Sequence, residues 1–233
     1  MEIINYALFI LFGFAPSILW LAFYLRKDRH PEPGSLIRKV FFWGMASTIP
    51  AVILELSSKS LFSALSLPNP AETFLYMFFG IAIIEEFTKF LVVRLTVYKN
   101  RNMDEPVDLM VYMIAAALGF AAAENMLMLF RLGPLALTTD ILFLSSMRLV
   151  GATFLHALVS GLFGFFLALT IFDPKKKLLY FTLGIGAAGT LHYLFNFYIL
   201  KTEGARQIFI PLAIVLGTAI FLSFAFKALQ KKR

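Results

Sequence analysis

The sequence predicts an all-α, polytopic membrane domain of about seven transmembrane helices, and three observations carry that prediction. Hydrophobic residues make up 60% of the chain and charged residues only 15%, whereas soluble domains carry ~25% charged residues. The apolar residues fall in blocks of about twenty, the length that crosses a hydrocarbon core of roughly 30 Å. No water reaches backbone groups in that core, so each block folds as a helix. The stretches between blocks are too short for a soluble domain, which leaves one membrane domain over residues 1–233.

The first span, Ile4–Leu25, has no basic leading segment and is too long for the apolar core of a signal peptide, so it reads as a helix rather than a cleaved leader. Val40–Leu56 follows as the second. Thr73–Val97 is the third, despite Glu85, Glu86 and Lys89. Val107–Phe130, Leu149–Phe172, Leu178–Leu200 and Ile208–Phe226 complete the set. Ile141–Met147 is apolar but short, and is expected at the interface or as an extension of the fifth span. Gly119, Ala121 to Ala123, Gly184, Gly186 and Gly189 are small enough to let helices approach closely.

Loop charge sets the orientation. One set of loops holds Arg26, Lys27, Arg29, Arg38, Lys39, Lys99, Arg101, Lys175, Lys176, Lys177, Lys227, Lys231, Lys232 and Arg233. The opposite set holds only Lys59, Arg131, Lys201 and Arg206. Fourteen against four follows the positive-inside rule, with the N-terminus outside and the C-terminus cytoplasmic. The net charge of +7 is thus a product of topology and calls for no nucleic acid. The absence of cysteine excludes disulfides, thiolate catalysis and Cys-ligated zinc.

Ionisable groups inside a membrane cost roughly 2.5–3.5 kcal/mol each on insertion scales and mark functional sites by default. The third span carries Glu85, Glu86 and Lys89, and the fourth carries Glu124 and Asn125. The fifth carries His156, with Arg148 near its outer end, and the sixth carries His192 and Asn196. Counted from the outer ends, Glu85 lies twelve residues in, Glu124 six, His156 seven and His192 eight. At 1.5 Å per residue these form one layer roughly 9–18 Å below the outer surface, while the inner half is bare.

Spacing then suggests chemistry. Glu85 and Lys89 are i,i+4 and pair on one face, while Glu86 points about 100° away. His192 and Asn196 share a face. A carboxylate base for water beside neutral donors for an oxyanion is a kit for peptide hydrolysis without a serine or cysteine nucleophile. Glu124, His156 and His192 could instead hold zinc or another divalent metal, with water in the fourth position and Glu85 or Glu86 as base. No His-Glu-x-x-His helix forces that choice. Asn125 and Arg148 read as supporting rather than catalytic, and Glu55 as reaching water near a helix end.

Other classes bury similar groups. A proton- or ion-coupled transporter is the main alternative, but it would place polar groups on both sides of the midplane and favours inverted repeats, which are not visible. A bis-histidine haem protein would have no use for three glutamates beside its ligands.

These blocks resemble the PrsW family of bacterial intramembrane proteases and, more distantly, the CAAX-endopeptidase group of glutamate-dependent membrane proteases. The likeness rests on Asp28 to Pro33, Glu85-Glu86-x-x-Lys89, Asp104-Glu-Pro-Val-Asp108, Gly119-Phe120-x-x-x-Glu124-Asn125, His156 and His192-x-x-x-Asn196, in that order. Glu124 stands where the CAAX group carries a histidine, so that group's mechanism does not transfer intact. The resemblance implies a multi-pass protease of the prokaryotic cell membrane, making the site-1 cut in a membrane-tethered anti-sigma factor during stress signalling. The working assignment makes Glu85 or Glu86 the general base on a water with Glu124 as partner carboxylate, His192 and Asn196 the oxyanion donors, and His156 the residue that completes the site. By analogy with the CAAX group, no cofactor is required in this preferred reading.

Overall fold

A computed structural model describes residues 2–131, 133 and 138–231. Lys232 and Arg233, counted above with the inner basic set, lie outside the described residues. Helices account for every span, and no strand occurs among the described residues.

The first span is α1 (Glu2–Leu25). The second is longer than expected and consists of α2 (Gly34–Ala46) and α3 (Thr48–Ala64), broken at Ser47. Pro50 causes the break, because it has no N–H to offer the Ala46 carbonyl. Ser47 and Thr48 compensate by donating their hydroxyls to the Gly44 and Met45 carbonyls, each at 2.7 Å. The third span joins α4 (Asn69–Leu75), a π-helical stretch over Tyr76–Ile83 and α5 (Ile84–Thr96). The fourth is α6 (Asp108–Phe130).

Ile141–Met147 falls in α7 (Thr138–Val150), a separate helix that continues into α8 (Ala152–Phe172) across a break at Gly151, so the segment extends the fifth span without being one helix with it. The indole N–H of Trp20 donates to the Leu149 carbonyl beside that break at 2.7 Å. After α9 (Lys177–Lys201), Gly204 takes φ +65°, a left-handed conformation natural to glycine, and starts α10 (Ala205–Gln230). Six of the helices are long and apolar enough to cross a membrane. The third span is the exception, since Glu85, Glu86, Lys89 and Arg94 interrupt its apolar run.

α6 is the axis of the bundle. Every residue from Asp108 to Ala122 is buried, and α1, α2, α5 and α8 pack around it. Leu95, Leu178 and Phe224 on outer faces remain exposed, as lipid-facing residues should. The α2–α6 crossing brings backbone against backbone. A Cβ on Gly44 would lie 2.1 Å from the Ala116 carbonyl oxygen, and one on Gly119 would lie 1.9 Å from that of Phe41. Gly184 and Gly189 also sit at close approaches, whereas Gly186 faces open space.

Gly44→Leu should therefore force α2 off α6 and cost at least the ~1–3 kcal/mol of an overpacked core. Its thermal midpoint in detergent should fall well below that of Gly186→Leu. Equal midpoints would contradict the close crossing.

Candidate active site

Four helices deliver the polar residues to one place. α5 supplies Glu85, Glu86 and Lys89, α6 supplies Glu124, α8 supplies His156 and α9 supplies His192. The π-helical stretch immediately precedes the two glutamates. Its i→i+5 bonding widens the turn before them, a feature frequent at functional sites and without a sequence signature here.

Lys89 is the hub. Its ammonium is fully buried and donates to Glu86 Oε1 at 2.8 Å, Glu85 Oε2 at 3.3 Å and His156 Nδ1 at 2.9 Å. It also sits 4.5 Å from the centre of the Phe120 ring. The expected Glu85–Lys89 pair is thus present but not exclusive. The i,i+3 partner Glu86 is closer, because residues three and four apart both neighbour Lys89 on a helix.

The partners fix the imidazole tautomers. His156 accepts from Lys89 at Nδ1, so its Nε2–H donates to Glu124 Oε2 at 2.7 Å. His192 donates Nδ1–H to Glu86 Oε1 at 3.3 Å, which leaves the Nε2 lone pair free. Glu85 Oε2 lies 3.9 Å from His156 Nδ1 and 3.8 Å from His192 Nε2. Two imidazole lone pairs and one carboxylate oxygen therefore converge within 4.8 Å.

Zinc–nitrogen bonds of ~2.0–2.1 Å in a tetrahedron put ligand atoms about 3.4 Å apart. Glu85 Oε2 would have to close on each nitrogen by about half an ångström for the three groups to hold a divalent metal. Lys89 holds the donors that such an ion would take, and Glu86 remains as its partner when they are given up. The set differs from the sequence expectation of Glu124, His156 and His192, because Glu124 contacts the far nitrogen of His156.

The surrounding residues brace this centre. Glu86 is completely buried, with Ser160 Oγ donating to its Oε2 at 2.5 Å. Glu124 is the most open acid, with a side chain 29% exposed. Arg148, on α7 rather than α8, reaches Glu124 Oε2 at 3.4 Å and donates to Asn125 Oδ1. Asn125 Nδ2 donates to the Gly13 carbonyl at 3.2 Å and Thr153 Oγ1 at 3.0 Å, tying α1, α6 and α8 together as a supporting residue would. Asn196 is half-buried, and its side chain makes no hydrogen bond among the described residues.

Sequence reasoning missed Ser160 and undervalued Glu55. Ser160 lies one turn beyond His156 on the same face, which was a usable signal. Glu55, half-buried on α3, lies within electrostatic range of Glu85, Glu124 and Lys89. A transport path is not favoured along the axis, since α6 offers only apolar side chains and glycine between Tyr112 and Glu124.

A cluster of carboxylates, imidazoles and one ammonium buried inside a multi-pass bundle defines the class, an integral membrane protein with a polar site among its helices. Comparison supplies the family. The model of the PrsW family intramembrane metalloproteases matches residues 32–225, and the chain belongs to that family. It is 31% identical to Protease PrsW of Oceanobacillus iheyensis over 206 residues, covering 88% of each chain. Protease PrsW of Geobacillus kaustophilus is 31% identical over 82% of this chain and 79% of its own, and that of Bacillus subtilis 26% over 88% of each. No solved structure matches the chain.

Removing the hub should be costly. Lys89→Met leaves Glu85 and Glu86 buried without their cation, a loss of about 3–5 kcal/mol for a broken buried pair. The double change Lys89→Met with Glu86→Gln should recover part of that loss in thermal unfolding. A strictly additive cycle would show that the two side chains are not coupled.

Proposed function

We propose that this protein is a metal-dependent intramembrane peptidase, with Glu85, His156 and His192 as the ligands. The convergence of the two imidazole lone pairs on Glu85 Oε2 carries this reading, and the family's description as metalloproteases supports it. On this geometry the metal-dependent alternative is better supported than the metal-free one. Zn²⁺ or a similar ion bound there would supply Lewis acidity and lower the pKa of its bound water.

The protein's own groups divide the remaining work. Glu86 is a positioning residue, with Oε1 shared by Lys89 and His192 and Oε2 held by Ser160. It orients His192 as a carboxylate behind a metal-binding imidazole does. Glu124 orients His156 through Oε2, while its Oε1 makes no hydrogen bond among the described residues. That free oxygen, on the most exposed acid of the centre, takes the proton of the attacking water and passes it to the leaving amine. The base role thereby moves from Glu85 or Glu86 to Glu124. Arg148 brings positive charge beside the reacting carbonyl, and Asn196, one turn from His192, can meet its oxygen on substrate binding.

Loop charge puts the centre nearer the outer face of the prokaryotic cell membrane, with the N-terminus outside. The substrate is a membrane-tethered protein, and the resemblance makes an anti-sigma factor in stress signalling the first candidate.

The test is cleavage of such a substrate by purified protein, with the cut mapped by mass spectrometry. Activity should vanish in chelator and return with zinc. It should fall at least ~10²-fold in Glu124→Gln, as general-base loss does, and the cut should map near the extracytoplasmic end of the substrate helix. Activity that persists in chelator would contradict the metal, and a cytoplasmic cut would contradict the orientation.

A further inference from the structure

Two motifs of the sequence remain outside the catalytic centre: the Asp28 to Pro33 loop and the Asp104-Glu-Pro-Val-Asp108 turn. They meet at the opposite end of α6. Asp108 opens that helix sixteen residues before Glu124, so about 24 Å of helix separates the two centres. One carboxylate oxygen from each of Asp28, Glu32 and Asp108 lies within 4.8 Å of the others. The inner ends of the spans are therefore not bare, as the sequence suggested.

The existing bonds shape this cluster. Asp108 Oδ2 accepts the backbone N–H groups of Asp104 at 3.0 Å and Glu105 at 2.8 Å. Glu32 Oε2 accepts the Tyr112 hydroxyl, and Asp28 Oδ1 accepts the His30 N–H at 3.1 Å. One oxygen on each acid is thus committed to no amide or hydroxyl donor, while Glu32 and Asp108 also hydrogen-bond each other. Asp28 makes the imbalance plain, being only 7% exposed with its Oδ2 buried and without a hydrogen-bond partner. Among the described residues no lysine or arginine forms an ion pair with any of the three. The ring of His30 instead pairs with Glu105 at 3.0 Å.

A buried carboxylate oxygen without a partner, as in Asp28, is costly, and ionised Asp28, Glu32 and Asp108 would repel one another. Burial already pushes the Asp28 and Glu32 carboxyls above their ordinary pKa values, and neighbouring acids add to the shift. A cation relieves all of these at once. Oxygens bound to one Ca²⁺ at 2.3–2.6 Å lie at most about 5 Å apart, and Mg²⁺ uses one or two carboxylates and keeps several waters. The donor atoms are all oxygen, which suits these hard ions rather than zinc.

We propose that Asp28, Glu32 and Asp108 form a second, structural site for a hard divalent cation, Mg²⁺ or Ca²⁺. The ion clamps the loop after α1 to the first turn of α6, and so fixes one end of the helix whose other end carries Glu124. The site does not depend on the hydrolytic reading of the first centre.

The probe is Tb³⁺ titrated into the full-length protein in detergent, with luminescence excited through tyrosine, since the Tyr112 hydroxyl touches Glu32. Wild type should give a saturable signal that Ca²⁺ or Mg²⁺ displaces. The affinity should weaken at least tenfold in Asp28→Asn, which still accepts the His30 N–H, and stay unchanged in His192→Ala. Should Asp28→Asn aggregate, Glu32→Gln, which still accepts from Tyr112, provides the same comparison. A signal that is absent, or unchanged in the variant, overturns the proposal. So does higher thermal stability of both variants without ion binding, which would mean that the three acids share a proton instead.

Discussion

An ammonium with no access to water must find its charge partners on neighbouring helices, and Lys89 finds all of them at once. Its three donors go to Glu85, Glu86 and His156, and the Phe120 ring covers one side. Those partners determine much of what surrounds them. Glu86 draws Ser160 and His192, and the lone pair that His156 gives to Lys89 turns its other nitrogen to Glu124. The tautomers of both histidines, and hence the two lone pairs that face Glu85, follow from this one buried cation. With the acids ionised, Glu85, Glu86 and Glu124 face only Lys89 and Arg148, leaving one negative charge in excess. A centre of that sign is suited to a metal ion.

Such a network tolerates little movement of the helices that carry it. α6 meets this demand by its burial and close contact: it is buried from Asp108 to Ala122 and approaches α2 backbone to backbone through Gly44 and Gly119. Asn125 adds hydrogen bonds to α1 and α8 one residue beyond Glu124. Glu124 is more exposed than Glu85 and Glu86, and its Oε1 makes no hydrogen bond among the described residues. Tight packing along α6 and partial exposure at Glu124 thus coexist in one bundle.

Most of the fold was legible because the bilayer imposes a length and a polarity that the chain must display. The seven spans and the meeting of Glu85, Glu124, His156 and His192 followed from apolar blocks and depth counting. What depth could not supply was rotation. The π-helical stretch at Tyr76–Ile83 resets the face of α5, and no residue pattern announces it. Nor could depth tell which nitrogen of His156 faces which acid: Glu124 takes Nε2, so Glu85 is the acid that lies near both His156 Nδ1 and His192 Nε2. Arg148 could be tied to the centre by proximity, but its place on a separate helix depends on the break at Gly151. The meeting of the two acidic loop motifs was illegible for another reason, since it depends on a tertiary contact between α6 and the loop after α1.

Metal stoichiometry tests the proposed donor set of Glu85, His156 and His192 most directly. Protein loaded with zinc, freed of excess by gel filtration and assayed by mass spectrometry should retain about one tightly bound ion per chain. That ion should be absent from Glu85→Gln, His156→Ala and His192→Ala and still present in Glu124→Gln. Loss of the ion in Glu124→Gln with retention in Glu85→Gln would contradict the account and restore Glu124 as the ligand.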